Sequence, residues 1–116
     1  MSFNNSAALL DALVLAVVSG EDIYGYRITQ QIRQAVDVSE STLYPVLRRL
    51  QKDNCLNIYD QEYSGRNRRY YKITDRGKLQ LALYREQWND YRNSIENILF
   101  AGNKSDQGGE SDGISK

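Results

Sequence analysis

The chain has 116 residues, 41% of them hydrophobic, with fifteen Lys and Arg against fifteen Asp and Glu and no histidine. That length allows one domain with a small core and one added element. The absence of histidine excludes Ser-His-Asp and Cys-His catalysis and the usual zinc sites, and the eight glycines are too dispersed for a phosphate loop. Carboxylates are plentiful, but none pair on an apolar element that would tune them for acid–base work. An enzyme would have no visible catalytic residue, cofactor or metal to rest on.

Cys55 is the only cysteine, so no intrachain disulfide forms; its apolar neighbour Leu56 points to a packed thiol in a reducing compartment. No basic-then-apolar leader opens the chain. The apolar stretch Ala7–Val18 is broken by Asp11 and falls short of the ~20 residues of a membrane span. The expectation is a cytoplasmic protein with no membrane partner.

Ala7–Val18 is apolar almost all round, as a buried helix is. Ser19-Gly20-Glu21-Asp22 reads as a stop and turn, with Gly20 available for a left-handed cap. Tyr24–Val36 places Ile28, Ile32, Ala35 and Val36 at helical spacing, and Asp37 ends it. A third helix starts with a cap at Ser39 or Ser41, and Val38 is placed to staple onto Leu43. Leu43, Val46, Leu47 and Leu50 form its core face. Pro45 deletes one backbone hydrogen bond near its start, which predicts a bent or loosened first turn.

Leu56–Tyr63 and Arg68–Thr74 are strand candidates around Ser64-Gly65-Arg66-Asn67, where Gly65 and Asn67 suit the positive φ of a tight hairpin. Thr74 caps a last helix running to about Phe100, roughly 39 Å at 1.5 Å per residue. Within it Leu81, Tyr84, Trp88, Tyr91, Ile95 and Ile98 step by three and four, the seam of a helix packed along another. Leu79 and Leu83 offer the chain's own domain a second apolar face, which leaves the seam for a dimer partner. The Gly-, Ser- and Asp-rich stretch from Ala101 to Lys116 reads as a disordered tail.

The fold class is therefore mainly α with a β-hairpin wing (α+β): a winged helix-turn-helix over 1–74, a long dimerisation helix over 75–100, and a tail over 101–116. From Ser39 to Lys78 nine basic residues stand against five acidic ones, a local excess inside a neutral chain. Ser39, Ser41, Thr42 and Tyr44 near the helix start suit base edges or phosphates. Arg48, Arg49 and Lys52 suit the backbone, and Arg66, Arg68 and Arg69 on the hairpin suit a narrow minor groove. This argues for a double-stranded DNA partner.

Three ordered motifs carry a resemblance at this point. Tyr24-Gly25-Tyr26-Arg27-Ile28 is similar to a Tyr-Gly-Tyr-Glu-Ile stretch, with Arg27 in place of the usual acid. Ser41-Thr42-Leu43-Tyr44-Pro45-Val46-Leu47-Arg48-Arg49-Leu50 resembles a Gly-Thr-Leu-Tyr-Pro-x-Leu-x-Arg-Leu recognition helix, with Ser41 for the commoner Gly. Gly65-Arg66-Asn67-Arg68-Arg69-Tyr70-Tyr71-Lys72-Ile73-Thr74-Asp75-Arg76-Gly77 resembles a Gly-Arg-x-Arg-Lys-Tyr-Tyr-x-Leu-Thr-x-x-Gly wing. These are motifs of the PadR-like transcriptional regulators, and the match covers about Ala8 to Leu99. The resemblance implies a homodimer held by the N- and C-terminal helices and repression at an inverted-repeat operator. Some small members hold flat hydrophobic ligands at the dimer interface. Trp88, flanked by Tyr84 and Tyr91, would line such a planar-inducer site; plain dimer packing accounts for the same aromatics. Two other readings stay open: a winged protein–protein module, and a dimeric ligand-sequestering protein.

Overall fold

The structure, a computed structural model that describes residues 6–102, orders its elements as α1 (Ser6–Gly20), β1 (Ile23–Tyr24), α2 (Gly25–Ile32), α3 (Glu40–Lys52), β2 (Leu56–Tyr63), β3 (Arg66–Ile73) and α4 (Asp75–Leu99). The three strands form one antiparallel sheet in the order β1-β3-β2. This is a winged helix with a long C-terminal helix. No helix among the described residues is long and apolar enough to cross a membrane. The tail expected from Ala101 lies, beyond its first two residues, outside the described residues.

The core forms where the apolar faces of α1, α2, α3 and the sheet base converge. Val14, Leu15 and Val18 of α1 meet Ile28 and Ile32 of α2, Leu43, Leu47 and Leu50 of α3, and Leu56, Tyr71 and Ile73 of the sheet, all buried. Each such side chain contributes about 1.5–3 kcal/mol when withdrawn from water. Half-buried Val38 packs on this cluster just ahead of α3, as a staple does. Cys55 is free and buried within it.

Several element ends differ from the sequence expectation. The first helix continues through Gly20, whose φ is not left-handed, because no turn is needed until Glu21. The second helix ends at Ile32, four residues early: Gln34 and Ala35 donate to the carbonyls of Gln31 and Ile32, so the chain tightens into i→i−3 bonds instead of continuing the helix. Ser39, not Ser41, caps α3, its Oγ accepting from the Thr42 amide at 3.2 Å. Pro45 lies inside α3, exposed, and the helix runs unbroken through it.

The far end of α3 closes in a way the sequence reading missed. Asn54 takes φ 65°, the Cys55 amide donates to the Leu50 carbonyl at 2.9 Å, and the Asn54 amide donates to the Gln51 carbonyl at 3.0 Å. Those bonds make a Schellman cap and swing the chain into β2. The hairpin turn is Ser64-Gly65, both at positive φ (53° and 79°), as a type I′ turn requires. Asn67 is therefore a strand residue paired with Glu62, and β3 begins at Arg66, two residues earlier than expected. The two-residue strand β1 was also missed; it pairs Ile23 with Tyr71 and Tyr24 with Tyr70.

Thr74 joins three elements. Its hydroxyl donates to the Asn54 carbonyl at 2.6 Å and accepts from the Gly77 amide at 3.0 Å, capping α4. Gly77 is pressed against α3's exit: a Cβ there would overlap the Cys55 carbonyl oxygen. This contact fixes the rotation of α4. Gly77, Leu81 and Tyr84 turn inward, whereas Leu79 and Leu83 are 71% and 51% exposed. The expectation that Leu79 and Leu83 would face the chain's own core, leaving Leu81 for a partner, is thus reversed.

Candidate nucleic-acid interface

The third helix has two faces by construction. With Leu43, Val46, Leu47 and Leu50 buried, the intervening Ser41, Thr42, Tyr44, Arg48 and Lys52 stand exposed, and Ser39 precedes them at the cap. The Ser39 hydroxyl lies 3.0 Å from both the Ser41 and the Thr42 hydroxyls, so the helix start carries a small cluster of rotatable donors and acceptors. The Arg48 guanidinium sits 5.6 Å from the Tyr44 ring centroid, a loose cation–π contact on the exposed face of α3.

Alternation places the wing's residues on two faces. Tyr71 and Ile73 point into the core, so Asn67 and Arg69 share their side and look toward α3. Arg66, Arg68 and Tyr70 alternate with them, yet Arg68 also borders the cleft between the wing and α3. Between α2's start, the exposed face of α3 and the wing is an open cleft of about 970 Å³. Tyr26, Glu40, Ser41, Tyr44, Pro45, Asn67 and Arg69 are among its walls. Ser41 and Tyr44 of α3 and Arg68 and Arg69 of the wing, far apart in sequence, therefore border one concavity. Burial raises the pKa of the Tyr71 phenol on this wall, partly offset by neighbouring Arg69.

The cations are not equivalent. Arg66 is exposed at the tip, and Arg69 is 55% exposed with only a loose 3.9 Å approach to Asp60. Arg68 is stacked instead: its guanidinium carbon is 4.4 Å from the Tyr24 ring centroid and 5.6 Å from that of Tyr63.

Arg49, expected on the DNA backbone, has a partner within the domain that the sequence did not reveal. Its Nη1 donates to Asp11 Oδ2 at 2.9 Å and its Nη2 to Asp11 Oδ1 at 2.6 Å, a two-pronged ion pair between α3 and α1. The hydrogen bond to Asp11 raises the Arg49 pKa. A guanidinium so engaged ties α3 to α1. Asp11 is buried and also accepts from the Tyr84 hydroxyl of α4 at 3.0 Å. Burial, then the Asp11 charge and hydrogen bond, push the Tyr84 phenol up to about 12. The sequence signal was Asp11 itself, a carboxylate in an otherwise apolar helix.

The seam of α4 divides. Leu81 is in the domain core and Tyr84 is tied to Asp11, so neither is offered whole to a partner chain. Both line the floor of an apolar groove of about 660 Å³ between α1 and α4, with Leu9, Leu13, Ala16 and Val36 along it and Trp88 at its rim. Trp88 is 41% exposed and tilts against Tyr91 at 6.3 Å between centroids; Ile95 and Ile98 are 38% and 77% exposed.

The sequence reading passed over α2's outer edge, where Tyr26 and Arg27 border a second open, polar cleft with Gln30, Arg33 and Glu40. The signal was Arg27, a cation where the resembling motif carries an acid.

A family model described as the transcriptional regulator PadR-like family matches residues 14–83, from mid-α1 to the third turn of α4. The chain belongs to this family. A solved relative, smu.1704 from Streptococcus mutans UA159, is 43% identical, covering 80% of this chain and 88% of that one at a TM-score of 0.78. The transcriptional regulator Rv3488 of Mycobacterium tuberculosis is 35% identical over 70 residues, 60% of this chain and 65% of that protein. Bacillus subtilis PadR, solved in complex with operator DNA, shares the fold at 22% identity and a TM-score of 0.60, covering 66% of this chain and 46% of that one. This PadR-like chain is accordingly a transcriptional regulator, not an enzyme.

Proposed function

We propose that this chain binds double-stranded DNA as a homodimer and represses transcription at an inverted repeat. The supporting observation is the shared cleft, in which Ser41 and Tyr44 of α3 face Asn67, Arg68 and Arg69 of the wing. Ser41, Thr42 and Tyr44 read base edges in the major groove, with Ser39 at the helix start beside them. Arg48 and Lys52 hold phosphates, and Arg66 and Arg69 follow the adjacent backbone or minor groove. Residues 1–74 form the DNA-reading unit, and 75–100 the helix that pairs two copies. Exposed Ile95, Ile98, Leu99 and Phe100 are apolar surface that such pairing covers. Pairing sets the two recognition helices ~34–36 Å apart, one turn of DNA. The α1–α4 groove takes a planar hydrophobic ligand, which releases DNA only by favouring a different helix spacing.

Two measurements test this. Sedimentation of the wild type gives a dimer, and Ile95→Glu shifts it to monomer. Arg66→Ala lowers DNA affinity on every sequence and flattens the log K against log salt slope by about one unit. A wild-type monomer, or a protein whose binding ignores salt, would overturn the reading.

A further inference from the structure

The wing is anchored only at its base. Strand β1 pairs with β3 at Tyr70 and Tyr71 and nowhere beyond. The segment from Asp60–Tyr63 to Arg66–Arg69 therefore overhangs as a two-stranded ribbon, which is marginal when nothing packs on it. Arg68 sits where the overhang begins. Its guanidinium stacks on Tyr24 of β1 at 4.4 Å and reaches Tyr63, the last residue before the turn, at 5.6 Å. The ladder continues inward: Tyr24 meets Tyr70 edge-on at 5.6 Å, Tyr70 stacks on Tyr59 at 5.5 Å, and the Tyr59 hydroxyl donates to Asp22 at 2.7 Å. The Arg68 Nε is buried with no hydrogen-bond partner, so this arginine's place is fixed by its rings rather than by an acceptor.

We propose that Arg68 is a positioning residue of the wing and not one of its phosphate contacts. Through Tyr24 and Tyr63 it clamps the ribbon to the body of the domain, so that Arg66 and Arg69 meet the DNA already aligned. This rests on the DNA-binding reading and divides its three wing arginines into two that touch the backbone and one that aims them.

The test measures the affinity of the full chain for a mixed-sequence DNA duplex across a salt series, for wild type, Arg66→Ala, Arg68→Ala, Tyr24→Leu and the Arg68/Tyr24 double variant. Loss of a cation–π clamp lowers affinity about 3- to 30-fold. Arg68→Ala should show that loss with the wild-type salt slope, whereas Arg66→Ala lowers the slope by about one unit. Tyr24→Leu, which removes no charge, should match Arg68→Ala, and the double variant should be no worse than the weaker single one. Amide exchange at the Tyr63–Arg66 tip should quicken in Arg68→Ala and Tyr24→Leu but not in Arg66→Ala. A slope lowered by one unit in Arg68→Ala, or full affinity in Tyr24→Leu, would overturn the proposal. Tyr24→Leu alone decides it should Arg68→Ala not fold. A wild type without salt-dependent binding would instead refute DNA binding itself.

Discussion

Replacing Asp11 with Asn keeps the side chain's shape and removes its charge from the junction of α1, α3 and α4. The wild-type carboxylate is 8% exposed and accepts three hydrogen bonds, two from Arg49 and one from Tyr84; the Arg49 side chain is 44% exposed. An Asn can present one acceptor oxygen, while its amide group sets a donor against a donor. One charge-assisted bond is lost and the remaining ones weaken, where bonds to charged groups contribute about 1.5–3 kcal/mol each. Breaking a wholly buried pair costs about 3–5 kcal/mol, but Arg49 can rehydrate, which brings the figure down. Asp11→Asn should therefore destabilise by about 2 kcal/mol, well above the 0–1 kcal/mol of a surface pair. Urea denaturation at fixed protein concentration measures it. Tyr84→Phe should cost about 1 kcal/mol, and the double variant less than the sum, since both act on one carboxylate. A loss below about 0.5 kcal/mol for Asp11→Asn, or strict additivity, would show that the junction is an ordinary surface pair.

Gly77→Ala normally gains up to about 1 kcal/mol of helix propensity. Here the added carbon meets the Cys55 carbonyl, a backbone group that cannot step aside, so a net loss of about 1–3 kcal/mol is expected in the same denaturation assay. Ser39→Ala removes the α3 cap and should cost about 1 kcal/mol, with a larger effect on DNA affinity than on stability if the hydroxyl cluster also meets the groove. Tyr84 supplies an alkaline signature. Its phenol ionises near 10 when unfolded but only at about 12 when folded. Its contribution is thus full below pH 10 and drains away as pH rises from about 10 to about 12. Tyr84→Phe should flatten that fall in stability, and an unchanged alkaline limb would contradict the assignment.

How much of this was legible in the sequence depended on the range of the interaction concerned. The i, i+3, i+4, i+7 spacing of Leu43, Val46, Leu47 and Leu50, the Ser39 and Thr74 caps and the hairpin all rest on neighbours within one turn. Arg49 shows the limit. Its exposed position on a helical wheel was read correctly, but its partner Asp11 lies 38 residues away, and no local pattern pairs them. The rotation of α4 likewise depends on Gly77 meeting Cys55 across a tertiary contact, which is why Leu81 and Leu79 exchanged roles. Strand β1 is two residues long and exists only because β3 offers it an edge.

The central claim is that two copies of this chain read one inverted repeat. Selection of bound fragments from a genomic DNA library, at physiological salt and with competitor DNA, tests it most directly. The account predicts enrichment of a single inverted repeat whose half-site centres lie about one helical turn apart. Recovery of only scattered, salt-sensitive fragments with no shared repeat would contradict it.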